Sequence, residues 1–234
     1  MERYNSFKPG KIWLDTNGNR IQAHGGSVIF IDDTYYYFER VHSETICADL
    51  TADYTDVTGY YSTHFPHPHP PYVREATAHF TYNQKQYLIT SGTTGYYPNP
   101  SEVAVADTFH GPFKVLGNPH VNHRSNTSFH SQISSVFKVE SKKNLYIACG
   151  DRWLPQYMDL EYDEYAKMFY QLFSNDKADK KSNEIYEKYN RFVMNTSIAD
   201  YVWLPLRFEE PTNEHPDGMV YIDWFDEWRI EDWE

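Results

Sequence analysis

Glu75, Gln132 and His24 each head a stretch of the same pattern, and a carboxyl, an amide and an imidazole at matching positions could build one polar active site. The stretches run from His24 to Glu39, from Glu75 to Thr90 and from Gln132 to Ala148. In each, the polar head precedes an alternating apolar strand, a turn and a Tyr-rich strand. The heads lie 51 and 57 residues apart. A period near fifty with paired strands in each copy is the signature of propeller blades. Blades converge on a central axis, so the head of each innermost strand points into a shared pocket. Val73 and Ala76 flank Glu75 with apolar groups, and partial desolvation keeps the carboxyl proton available for donation; the alternative is a surface carboxylate paired with Arg74. Gln132 is a poor base. It can orient water, act through its imidic tautomer, or simply satisfy hydrogen bonds at a strand end. His24 is either a hydroxyl contact or a satisfied core histidine.

The elements that would carry these heads read as β throughout most of the chain. Residues 8–23 form an extended lead-in with a turn at Asp15–Asn19. Thr45–Leu50 is an apolar strand and Thr51–Thr58 a polar turn. Thr63–Tyr72 alternates His and Pro and reads as an extended connector without a ladder. Ser91–Pro100 is a loop dense in turn residues, Val103–Asp107 a short strand, and His110–Phe113 a turn. Residues 155–196 break the pattern. Tyr162, Tyr165, Ala166, Phe169, Leu172 and Phe173 recur at helical spacing, as do Ile185, Tyr186, Tyr189 and Phe192. Two helices joined by a solvated loop are expected, inserted at about 158–193. Tyr201–Leu206 and Met219–Trp224 are closing strands, and Glu227–Glu234 is expected to add an edge strand. The whole chain, 1–234, reads as a single domain. Without the insertion, about 190 of the 234 residues remain. That is three to four units of about fifty, against the roughly 4–8 blades of a closed ring.

Composition narrows the partners. A formal charge of −12 leaves no basic stripe to neutralise phosphates, so nucleic acid is not expected as a partner. Aromatics make up 18% of the chain, which suits blade packing first and sugar stacking second. Cys47 and Cys149 lie in apolar strand-like runs and read as buried free thiols. No apolar run approaches the ~20 residues of a membrane span, and the N-terminus lacks a signal-peptide core; a soluble, cytoplasmic protein is expected. His64, His67 and His69 alternate with prolines, but an extended connector spreads them apart. No metal or cofactor is expected.

Several words along the chain together resemble glycoside hydrolase family 43, and most of all its exo-β-1,3-galactanase branch. They are Trp13–Gly26, Tyr35–Glu39, Arg74-Glu-Ala76, Tyr87–Gly95 with Pro98–Pro100, Ala106–Phe113, Ser131-Gln132, Asp151-Arg-Trp153 and Tyr201–Leu206. The resemblance implies an all-β fold, a five-bladed β-propeller with its pocket on the axis. It further implies that this chain is an incomplete version of about three blades, with the α-helical insertion added. Blade one, a trailing piece of blade three and blades four and five are present; blade two and most of blade three are missing at Arg40–Val41. By the same resemblance, Glu75 is the general acid and Gln132 occupies the place of the base. Glu39 holds sugar hydroxyls and Thr93 lines the pocket. Apart from the resemblance, Asp151 in Asp-Arg-Trp reads as a structural residue tying blade edges through Arg152. The implied activity is a galactan exo-1,3-β-galactosidase acting with inversion on β-1,3-galactan or arabinogalactan, impaired by the loss of acidic pocket residues. Two alternatives stand beside it: an inactive carbohydrate-binding or interaction module, and a β-xylosidase or α-arabinofuranosidase. The substrate is an oligo- or polysaccharide, and exposed blade edges favour homo-oligomers.

Overall fold

The computed structural model describes residues 27–31, 34–41, 44–67, 73–173, 180–189 and 199–234, with only the backbone course given for 27–41. His24 and His69 lie outside the described residues. Among the described residues, twelve strands form three four-stranded antiparallel sheets. The first contains β1 (Ser27–Ile31), β2 (Thr34–Val41), β3 (Glu44–Leu50) and β4 (Val57–His64) in chain order. The second contains β5 (Arg74–Tyr82), β6 (Lys85–Gly92), β7 (Glu102–Ala106) and β8 (Lys114–Gly117). The third contains β9 (Gln132–Lys138), β10 (Tyr146–Arg152), β11 (Asp200–Glu209) and β12 (Met219–Ile222). Helices α1 (Tyr162–Phe173) and α2 (Lys180–Tyr189) fall between β10 and β11.

The position where sequence spacing shows a deficit is bridged by regular pairing. β2 and β3 run antiparallel with Glu39 opposite Ile46, Arg40 opposite Thr45 and Val41 opposite Glu44. The register continues from β3 to β4, where Thr45 faces His64 and Ile46 faces Thr63. Thr63 and His64 are therefore ladder residues of β4, not part of a connector. Their side of the ladder is stabilised by burial: His64 is buried and its ring packs on Phe65 and Phe113.

The sheets pack face to face, and the second lies between the other two. Residues of β6 alternate their allegiance. Leu88 joins Cys47, Phe65, Ala104 and Phe109, which ties the second sheet to the first. Tyr87 and Ile89 join Ile133, Ala148, Leu204 and Ile222, which ties it to the third. With both faces covered, β6 is buried from Tyr87 to Gly92. Full burial of one such aliphatic side chain contributes about 1.5–3 kcal/mol. Cys47 and Cys149 are buried free thiols, and desolvation pushes Cys47 up to about 12. The outer face of β10 presents Ile147 and Cys149, with Leu145 just before the strand beside them. Trp228 and Trp233 of the C-terminal tail cover them. The tail adds no edge strand, contrary to the sequence expectation. Its Trp228 indole N–H donates to the Trp203 carbonyl at 2.9 Å, and Ile230–Asp232 closes a short 3₁₀ turn. Covering an apolar face outweighs pairing at an edge.

The helix pair has its own core of Leu160, Tyr165, Met168 and Ile185 over Leu154 and Tyr157. It leans on two segments beside the strand heads: the Tyr97 ring packs at a tilt against Tyr165 with centroids 5.3 Å apart, and the Tyr162 amide donates to the Ser125 carbonyl at 2.9 Å. Among the described residues no helix is long and apolar enough to cross a membrane.

Candidate active site

Strand β5 packs against β9, with further contacts to β2 and β3. This brings the heads of β5 and β9 together. The Gln132 amide Nε2 donates to Glu75 Oε1 at 3.2 Å and to Ser91 Oγ at 2.6 Å. Ser91 is opposite Glu75 on the β5–β6 ladder, so one hairpin supplies both acceptors. With both amide N–H groups directed at these partners, Gln132 is left with its carbonyl Oε1 to offer a ligand. Glu75 and Gln132 are both half-buried.

Irregular backbone aims each head. Ala76, directly after Glu75, has φ 50°, and the β5–β6 register shifts between Glu75 and Ala78. Such a bulge turns a side chain out of its regular alternation and is frequent beside active sites. Before Gln132, Ser128, Phe129 and His130 follow one another at φ 53°, 56° and 58°. Left-handed backbone costs an L-residue roughly 1–2 kcal/mol, and three in succession persist only where surrounding contacts hold them. Those contacts are visible. Ser128 Oγ donates to the Asn99 carbonyl at 2.6 Å, and the Ser101 amide donates to Ser128 Oγ at 2.9 Å. Ser131 Oγ donates to the Ser128 carbonyl at 2.7 Å. Asn99 in turn clamps the loop after β6 through Gly92 and Thr94. Behind Gln132, a β-carbon on Gly150 would lie 3.1 Å from Ile133 Cδ1 and 3.2 Å from both the Gln132 carbonyl and Ser131 Oγ. Only glycine allows so close an approach without displacing the head of β9.

Arg74 does not serve as the partner of Glu75 suggested by the bland alternative. Its side chain is 3% exposed, donates to Thr90 Oγ1 and to the carbonyls of Thr90 and Pro100, and lies 3.4 Å from Glu102. Burial moves Arg74 down, while Glu102, Tyr162 and lastly Glu75 oppose that shift. Thr93 lies at the same strand end as Glu75, where its hydroxyl donates to the Val73 carbonyl at 3.0 Å. Glu39 is in β2 opposite Ile46, with its side chain outside the described structure. Arg152 reaches the Phe129 carbonyl at 2.8 Å and not Asp151. His64 and His67 come to no shared centre: His64 Nε2 meets Ser62 Oγ at 2.9 Å, and His67 Nε2 lies 3.8 Å from Glu102. Among the described residues no cluster of His, Cys, Asp or Glu has metal-binding geometry.

Sequence reasoning missed Ser91 and the 126–130 turn. Ser91 was expected to open a loop, but β6 runs on to Gly92 and pairs Ser91 with Glu75. The turn carried almost none, because Ser, Phe and His seldom take left-handed backbone.

No protein-family model matches the sequence, and no curated protein sequence does. Solved structures match by fold. A family 43 β-1,3-galactosidase, solved with galactodeoxynojirimycin, superposes with a TM-score of 0.62 at 22% identity, over 92% of this chain and 49% of that one. An exo-β-1,3-galactanase from Clostridium thermocellum gives 0.54 at 20% identity, over 86% and 34%. An endo-1,4-β-xylanase from Bacteroides thetaiotaomicron gives 0.52 at 14% identity, over 92% and 60%. The chain thus has the fold of family 43 glycoside hydrolases. It spans about half the length of the first of these proteins and about a third of the second.

Proposed function

We propose that the chain is a family 43 glycoside hydrolase homologue that acts on terminal β-1,3-linked galactosyl units. In this reading its three sheets are blades of an incomplete five-bladed propeller. The first sheet joins the inner half of one blade to the outer half of another at the β2–β3 hairpin. The observation that carries the proposal is the Gln132–Glu75 contact, made at the heads of two neighbouring inner strands and aimed by strained backbone on both sides.

Glycoside hydrolysis needs a proton donor at the leaving oxygen and a group serving water on the opposite face. Glu75 is the donor. Gln132 orients water through Oε1, and as a poor base it makes for slow turnover. Inverting enzymes hold their two catalytic groups ~6.5–9.5 Å apart, whereas Gln132 Nε2 and Glu75 Oε1 are 3.2 Å apart. A galactosyl ring with its water fits only when Gln132 releases Glu75, so substrate binding must separate the pair. That same closeness favours the second reading, a sugar-binding module without turnover. Incubation with β-1,3-galactobiose, xylobiose and an α-arabinofuranoside, followed by sugar analysis, separates these readings. The proposal expects slow galactose release from the first alone. Release of xylose or arabinose instead would overturn the substrate assignment, and sugar binding without release would establish the module.

A further inference from the structure

A cleft of about 500 Å³ opens beside the head of β9 and includes His123, Phe129, His130, Arg152, Asp223 and Trp224 in its lining. That volume suits a sugar unit or two. Phe129 and His130 belong to the left-handed turn before Gln132, and Arg152 follows Asp151, which pairs with Gln132 across the β9–β10 ladder. The cleft therefore adjoins the Glu75–Gln132 site but shares neither residue with it.

Its chemistry differs from that of a neutral sugar pocket. The Arg152 guanidinium lies 5.5 Å over the Trp224 ring, which is 45% exposed. One of its N–H groups goes to the Phe129 carbonyl, Nε has no hydrogen-bond partner, and no described carboxylate forms an ion pair with it. Asp200, its cross-strand neighbour, supplies only a longer-range attraction. Asp223 is no counter-charge either, because Arg207 grips it with two bonds of 2.7 and 3.2 Å. Burial lowers His123 and His130 below the ordinary imidazole value, with Arg152 adding to the effect on both and His130 to that on His123. A half-buried cation without a counter-ion is costly unless a ligand supplies one. A ring face beside it suits the apolar side of a pyranose.

We infer that this cleft is a subsite for an acidic sugar, a hexuronate whose carboxylate pairs with Arg152 and whose ring lies on Trp224. The inference takes from the proposed function only the choice of a carbohydrate as carrier of the carboxylate. Titration with methyl β-D-glucuronide, followed by tryptophan fluorescence and saturation-transfer NMR, tests it without turnover. Saturable binding is expected, and methyl β-D-galactoside and inorganic sulfate should bind at least tenfold more weakly. Arg152→Gln should weaken glucuronide binding about tenfold or more, as expected for loss of a charge-assisted pair. Trp224→Ala, a change at an exposed ring, should weaken it several-fold with the fold intact by circular dichroism. Glu75→Gln should leave it unchanged, so failure of the hydrolase reading and failure of this one are told apart. The inference is overturned if the galactoside binds equally well, if sulfate does, if glucuronide does not bind, or if Trp224→Ala leaves its affinity intact.

Discussion

Gln132 holds Glu75 and Ser91 through one nitrogen, so its removal does two things at once. Gln132→Ala leaves the Glu75 carboxyl without its 3.2 Å partner and takes away the Oε1 proposed to hold water. A fall in kcat of about 10-fold or more is expected, with KM for a galactoside changing less; an unchanged kcat would remove Gln132 from the chemistry. Buried histidines contribute to acid stability, His64 and His120 among them. His64 and His120 are each 7% exposed, and burial holds them at about 4 and about 3 respectively, below the ordinary 6.5. His120 Nε2 has no acceptor to meet a proton. With the folded values depressed, the unfolded chain binds protons first. Their stabilisation is present above pH 6.5 and is lost as pH falls toward 4. Urea unfolding at pH 7.5 and 4.5 should differ by on the order of 5 kcal/mol in this direction, about half of it lost in His120→Gln. Equal stability at the two pH values would contradict the burial of neutral imidazoles.

Strands and turns show where local reasoning succeeds and where it stops. The alternation of β5, β6, β9 and β10 is written in their residue types, because each buries one face or both against another sheet. The heads Glu75 and Gln132 were legible for the same reason: each opens an inner strand. The bulge at Ala76 and the left-handed Ser128–His130 turn were not legible. The turn is held by tertiary hydrogen bonds between Ser128 and Asn99 and Ser101, against the preference of its own residues. The tail misled for a related reason, since the apolar outer face of β10 competes for Trp228 and Trp233 only once β10 is in place. Gly150 makes the element-scale account testable. Gly150→Ala sets a methyl 3.1–3.2 Å from Ile133, Gln132 and Ser131. A loss of about 1–3 kcal/mol in stability is expected, together with a larger loss of activity than that destabilisation accounts for, because the head of β9 must shift. Full activity in a stable Gly150→Ala protein would show that the position of this head is not critical.

At the scale of the molecule, the three sheets of the described residues leave edges. β4 borders the first sheet and carries Tyr60 and Tyr61, 61% and 58% exposed. Edge strands with exposed aromatics favour pairing with another chain. Sedimentation over micromolar concentrations should reveal dimers or larger species, and a lone monomer throughout would show these edges to be inert. The fifty-residue period made the sheet organisation legible, and the helical spacing of apolar residues located the helices near Tyr165. How the first sheet would be completed was not legible, because a β2–β3 hairpin leaves no mark in composition. The account stands on Glu75 as proton donor to a β-galactoside. Its most direct test is galactose release from a β-1,3-galactan by the unsubstituted protein and by Glu75→Gln, with sugar binding measured in parallel. The account predicts slow release from the former, reduced roughly 10²–10⁴-fold in the variant while binding persists. Release that survives the substitution would contradict it and place the proton donor elsewhere.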